Sequence, residues 1–126
     1  MKKVEKAIYQ FLRARGWNRL NPADLSKSIC IEAAELLEHF QWTNPELENI
    51  KNDREKLNEI GEELADVFIY AFQMSDLLGF KTEKIILGKL KKAEKKYPVH
   101  LFNSKIKPGH GRYLQIKKLY RQRKPN

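Results

Sequence analysis

Glu32 and Glu35, and again Glu63 and Asp66, stand three residues apart inside otherwise apolar stretches of this chain. In a helix turning ~100° per residue, such an i, i+3 pair shares one face, about 60° apart around the axis. If the two helices pack together, four carboxylates converge. At ~5 Å and an effective dielectric of ~20, each like-charge pair costs roughly 3 kcal/mol. A fold rarely accepts that without a cation. The pattern therefore predicts an all-oxygen site for a hard divalent ion, Mg²⁺ or Mn²⁺.

The ligand types narrow the chemistry. Di-iron carboxylate bundles use Glu-x-x-His pairs, but the residue three before His39 is Leu36, and Cys30 has no second cysteine to join it. Iron and zinc are disfavoured. Mg²⁺ held by carboxylates completes its shell with water and substrate phosphates, which points to phosphate chemistry. Trp17, Trp42 and Tyr70 lie near the acidic pairs or at helix ends, where they form a flat apolar slot for a nucleobase. Phe40 falls on an expected core stripe and reads as packing.

Four helices are needed to position these groups. The first runs from about Val4 to Arg15 and closes at Gly16. The second opens at Asn21-Pro22, a polar cap followed by proline at the first helical position, and continues to about Gln41. Its core stripe is Leu25, Ile29, Ala33, Leu36 and Phe40, and Glu32, Glu35 and His39 lie to one side of it. Residues 43–52 read as a polar connection. The third helix spans about Asp53 to Leu78 with Gly79 as the residue just past its end. Leu57, Ile60, Leu64, Val67, Phe68, Ala71 and Leu78 form one stripe, while Ile69, Phe72 and Met74 add apolar surface elsewhere. A helix apolar on more than one face needs more cover than its own chain supplies, so dimerisation through the third helix is expected. The fourth helix starts at Thr82 and ends before Pro98. No convincing strand is found, and the expected fold is an all-α four-helix bundle.

A chain of 126 residues with 41% hydrophobic and 33% charged residues is one soluble globular domain rather than a disordered segment. No stretch approaches the ~18 apolar residues of a membrane span. The N-terminus carries no apolar leader, and the lone Cys30 forms no internal disulfide, so the protein is read as cytoplasmic. The net charge of +9 is uneven: Lys105, Lys107, Arg112, Lys117, Lys118, Arg121, Arg123 and Lys124 contribute +8 with no acid among them. The domain is accordingly set at residues 1–104 and a basic tail at 105–126. The tail reads first as a solvated, partly frayed terminus and second as a contact for nucleic acid.

The run Glu32-Ala33-Ala34-Glu35-Leu36-Leu37-Glu38-His39-Phe40-Gln41-Trp42, followed by Glu62-Glu63-Leu64-Ala65-Asp66-Val67-Phe68-Ile69-Tyr70, closely resembles the MazG-like all-α nucleoside triphosphate pyrophosphohydrolases. The nearest likeness within that family is to the small dCTP pyrophosphatase type. Lys89-Leu90 and Lys96-Tyr97-Pro98-Val99 look like the family's closing signature. The resemblance covers roughly residues 5–100. It implies that Glu32, Glu35, Glu63 and Asp66 bind Mg²⁺ and carry the catalysis, and that Trp17, Trp42, Tyr70, Lys89 and Lys96 contact the substrate. The implied reaction cleaves a (deoxy)nucleoside triphosphate into monophosphate and pyrophosphate, as house-cleaning of dCTP-like or non-canonical nucleotides, by a homodimer or a tetramer of dimers. Two positions depart from the pattern: the family's usual asparagine four residues after the matched lysine is Ala93, and a first-helix histidine of the dCTP type is Ile8. The alternative reading is a non-catalytic nucleotide-binding or regulatory module whose basic tail serves nucleic acid.

Overall fold

Proline at the first position of one helix, and aspartate just before another, fix where the two principal helices begin. Asn21 accepts a hydrogen bond from the Asp24 amide at 2.9 Å and caps α2, Pro22–Glu38. Asp53 accepts from the Lys56 amide at 3.0 Å and caps α4, Arg54–Leu77. Each cap satisfies an amide that the helix itself leaves without a partner. The computed structural model describes residues 2–102 and 110–123, all of whose regular structure is helical. Before α2 come α1, Lys2–Ala14, and a 3-10 turn at Trp17–Arg19; between α2 and α4 lies the short α3, Leu47–Asn52. Then follow α5, Thr82–Lys96, a 3-10 turn at Val99–Leu101, and α6, His110–Gln122. Among the described residues no helix is long and apolar enough to cross a membrane.

The chain divides into two compact units, Met1–Thr82 and Glu83–Asn126. In the first, α4 is the spine: α2 packs along most of it, and α1 and α3 pack on it as well. Its end is a Schellman motif. Gly79 adopts a left-handed φ of 68°, its amide bonds the Asp76 carbonyl at 3.0 Å, and the Phe80 amide bonds that of Ser75 at 2.9 Å. A side chain at Gly79 would be strained in that backbone region. Leu25 is fully buried and Leu12 is 5% exposed, while the buried polar residues are Gln73 and Ser75. Ser75 and Thr82 join their hydroxyls at 2.8 Å.

In the second unit, Tyr97 stacks on Tyr113 with centroids 5.2 Å apart and meets Phe102 edge-on at 6.2 Å. The Lys96 ammonium lies 4.5 Å from the Tyr120 ring centroid. Cation and ring attract in that arrangement, and α6 is thereby held to the end of α5.

Four expected helices are present with their ends within about three residues, and two more accompany them. Residues 43–52 were expected as connection, yet Leu47–Asn52 form α3; the segment is too short for a readable period, and its Glu46 cap makes no side-chain bond. The frayed terminus expected for the tail is instead helical over His110–Gln122. The boundary at residues 104 and 105, and the charges Lys105, Lys107 and Lys124, lie outside the described residues. The stripe expected on the third helix also divides: Ile60 and Val67 are half-buried, whereas Leu57, Leu64 and Phe68 face outward and are exposed.

Candidate functional site

Because α2 and α4 pack closely, their acidic seams meet. Glu32 on α2 and Glu63 and Asp66 on α4 each offer a carboxylate oxygen, all within 4.8 Å of one another. His39, two turns along α2 from Glu32, points its Nδ1 to Glu59 Oε2 at 3.9 Å. Later residues of α2 therefore meet earlier residues of α4, and the helices run antiparallel. That direction is what pairs Glu32 with Asp66 while bringing Glu35 to Glu63.

The charges feel one another. Burial first, then repulsion from Glu35, Asp66 and Glu63, holds the Glu32 carboxyl above its ordinary 4.5. Glu63 is likewise raised from 4.5, by desolvation first, then by Glu35 and Asp66, with a hydrogen bond to Glu35 adding to the shift and His39 opposing it. Three of the four expected carboxylates thus form a mutual trio, and Glu35 adjoins it through Glu63. Beyond the trio, Glu35, Glu38, His39, Glu59, Glu62 and Glu63 line an acidic depression of about 570 Å³. Glu38 is exposed at this rim.

An oxygen-only donor set, whose charged forms repel one another, fits a hard divalent cation. It is the carboxylates' own geometry that makes the fit.

On the other side of Asp66 opens an apolar cavity of about 610 Å³. Phe11 and Leu12 of α1, the turn from Gly16 to Leu20, and Asp66, Ile69, Tyr70 and Gln73 of α4 wall it. Gly16 makes the sharp exit from α1 with φ of 68°. Phe11 and Trp17 meet edge-to-face at 5.9 Å, and the Arg15 guanidinium covers the other part of Phe11, 3.7 Å from its centroid. Gln73 donates from Nε2 to the Trp17 carbonyl at 2.6 Å and so ties the turn to α4.

Trp17 and Tyr70 therefore line one cavity. Trp42 lies in the segment after α2 and is 86% exposed, away from that cavity. Lys89 and Lys96 belong to α5 in the second unit, where Lys89 is exposed and Lys96 sits over Tyr97 and Tyr120. Sequence reasoning missed Arg19 and Gln73. The signal for Gln73 was available: it interrupts the apolar run Phe72 to Met74 and lies at i+7 from Asp66 and i+3 from Tyr70, on the same helix face.

The MazG-like family matches residues 27–106, a span that includes all four carboxylates. A crystallised pyrophosphatase from Archaeoglobus fulgidus is 36% identical and superposes with a TM-score of 0.68, covering 78% of this chain and 92% of that one. No curated protein matches the chain. With more than half of its length matched and its all-helical fold shared, the chain belongs to the MazG-like family of nucleotide pyrophosphohydrolase enzymes.

Proposed function

We propose that this chain hydrolyses (deoxy)nucleoside triphosphates to monophosphate and pyrophosphate in a Mg²⁺-dependent reaction, with Mn²⁺ as the alternative ion. Its substrates are dCTP-like or non-canonical nucleotides, and its role is house-cleaning of the nucleotide pool in the cytoplasm. The observation that carries this reading is the double membership of Asp66. It belongs to the carboxylate trio and also walls the apolar cavity, so a phosphate held at the trio leaves its base beside Trp17 and Tyr70.

Glu32, Glu35, Glu63 and Asp66 hold the cation, which supplies charge neutralisation to the triphosphate and acidifies water. Glu35, adjoining Glu63 but outside the trio, takes the proton of the attacking water, with Glu32 as the other candidate. Trp17 and Tyr70 exclude water from around the base. Trp42, Lys89 and Lys96 are assigned to the substrate on the family resemblance. Pyrophosphate release from a panel of deoxynucleoside triphosphates, with Mg²⁺ and then with EDTA, is the direct test. Undetectable turnover of every nucleotide by folded protein overturns the proposal.

The outward Leu57, Leu64 and Phe68 recur at intervals of seven and four residues, which places them on one stripe of α4. This exposed stripe supports a homodimer formed through α4, with a tetramer of dimers as its extension.

A second role is favoured by α6, which carries Arg112, Lys117, Lys118 and Arg121 without an acid and lies beyond the family match. It suits contact with nucleic acid in addition to hydrolysis. Steeply salt-dependent binding, lost on truncation at residue 104, would support it.

A further inference from the structure

Gln73 is 4% exposed and sits in the wall of the apolar cavity, two helical turns from Asp66. Its amide can be oriented in only one way. The Trp17 carbonyl 2.6 Å away accepts and cannot donate, so the NH₂ group must face it. Turning the amide over would set two oxygens against each other and leave that carbonyl without its donor. Oε1 is therefore pinned on the opposite side. Among the described residues it has no hydrogen-bond partner, yet it is not among the buried atoms left without one. It consequently reaches open space, and the space that Gln73 borders is the cavity.

A fixed acceptor in an apolar wall selects its ligand. A donor brought to it gains a hydrogen bond, whereas an oxygen brought to the same place is repelled and leaves both groups unsatisfied. The rise along α4 from Asp66 to Gln73 is about 10 Å. That is comparable with the reach from a triphosphate's α-phosphate, across the sugar, to the outer edge of the base. We propose that Gln73 is the base-discriminating residue of the nucleotide pocket: its Oε1, locked by the Trp17 carbonyl, accepts a hydrogen bond from an exocyclic amino group, so that 4-amino pyrimidines are taken in preference to their 4-oxo counterparts. The inference rests on the nucleotide reading above and specifies which bases that pocket admits. It also gives the 3-10 turn a purpose, since Trp17 holds through its backbone the atom that reads the base while its ring walls the slot.

The test is binding of the non-hydrolysable α,β-imido analogues of dCTP and dUTP to the full chain with Mg²⁺, read by calorimetry. The unaltered protein should bind the cytosine analogue roughly tenfold more tightly, the scale of one hydrogen bond made against one refused. Gln73→Met should erase the difference by weakening the cytosine analogue, with the uracil analogue little changed. Should the methionine variant not fold, the side-chain amide resonances of Gln73 in ¹⁵N-labelled native protein give the same information: they should shift with the cytosine analogue and far less with the uracil one. Equal affinity for the two analogues, a preference for uracil, or a preference that survives Gln73→Met overturns the assignment. Binding of neither analogue overturns it together with the nucleotide reading. Pyrophosphate release measured in parallel separates the two ideas: no turnover with an intact base preference removes hydrolysis alone, and turnover without a preference removes Gln73 alone.

Discussion

Glu32 and Asp66 approach across the α2–α4 pair so that their carboxylate oxygens lie within 4.8 Å, with Glu63 completing the trio. Two negative charges from different helices at that separation oppose the packing that unites them. Mg²⁺ at millimolar concentration should therefore raise the melting temperature, because it binds the folded chain and not the unfolded one. Glu35→Gln should stabilise the metal-free protein while lowering turnover by at least about 100-fold, the scale of losing one preorganised charged group. Differential scanning fluorimetry and a pyrophosphate assay check both halves. A metal-free Glu35→Gln protein that melts below its parent would refute the repulsion argument.

The same repulsion has a pH signature. Glu32 and Glu63 are both raised above 4.5 in the folded chain, by desolvation first and by their acidic neighbours second. Groups that hold protons more tightly when folded lend stability that is complete below 4.5 and declines as pH climbs through their elevated values. Metal-free protein should thus lose stability on going from mildly acid to neutral pH. Saturating Mg²⁺ should flatten that slope, since the cation substitutes for the protons. Urea midpoints across pH 4 to 8, with and without Mg²⁺, report the difference.

Trp17 walls the cavity and braces Phe11. Its replacement by alanine should raise KM for nucleotide by about tenfold, within the ~1–3 kcal/mol of a base–aromatic stack, while kcat changes less. Trp42 is solvent-facing and supports little of the fold. Trp42→Ala should leave the melting temperature unchanged, so any rise in KM that it produces reports contact with nucleotide.

Phe68→Glu should abolish the proposed dimer and leave a monomer. The side chain lies outward in the α4 stripe with Leu57 and Leu64, where a charge costs nothing in a lone chain but cannot be buried against a second copy without loss. Sedimentation velocity distinguishes the two states.

Removing the cap of the spine tests the fold independently of the chemistry. Asp53→Ala deletes the bond to the Lys56 amide and should cost about 1 kcal/mol, lowering the melting temperature by roughly 3–5 °C with kcat retained at low temperature.

The sequence made the main helices readable because their signals are local. Asn21-Pro22, Asp53 and Gly79 each mark a helix end through residues immediately beside it. The acidic pairs were legible for the same reason, since an i, i+3 spacing needs only one helix to be meaningful. What escaped depended on partners distant in the chain. Gln73 stands out in the sequence as a polar break in an apolar run, but its pinned orientation is seen only with the Trp17 carbonyl, 56 positions away. Helix α6 carries no acidic first turn and shows its footing only when Tyr113 stacks on Tyr97. The division of the α4 stripe into half-buried Ile60 and exposed Phe68 depends on tertiary packing, which periodicity does not specify.

Leu12 and Leu25 are the apolar side chains that the described residues withdraw almost wholly from water. So thin an interior supplies little cohesion to an isolated copy. Self-association should accordingly add to the stability of this enzyme, and specific activity should decline on dilution toward nanomolar levels even where substrate and cation are saturating.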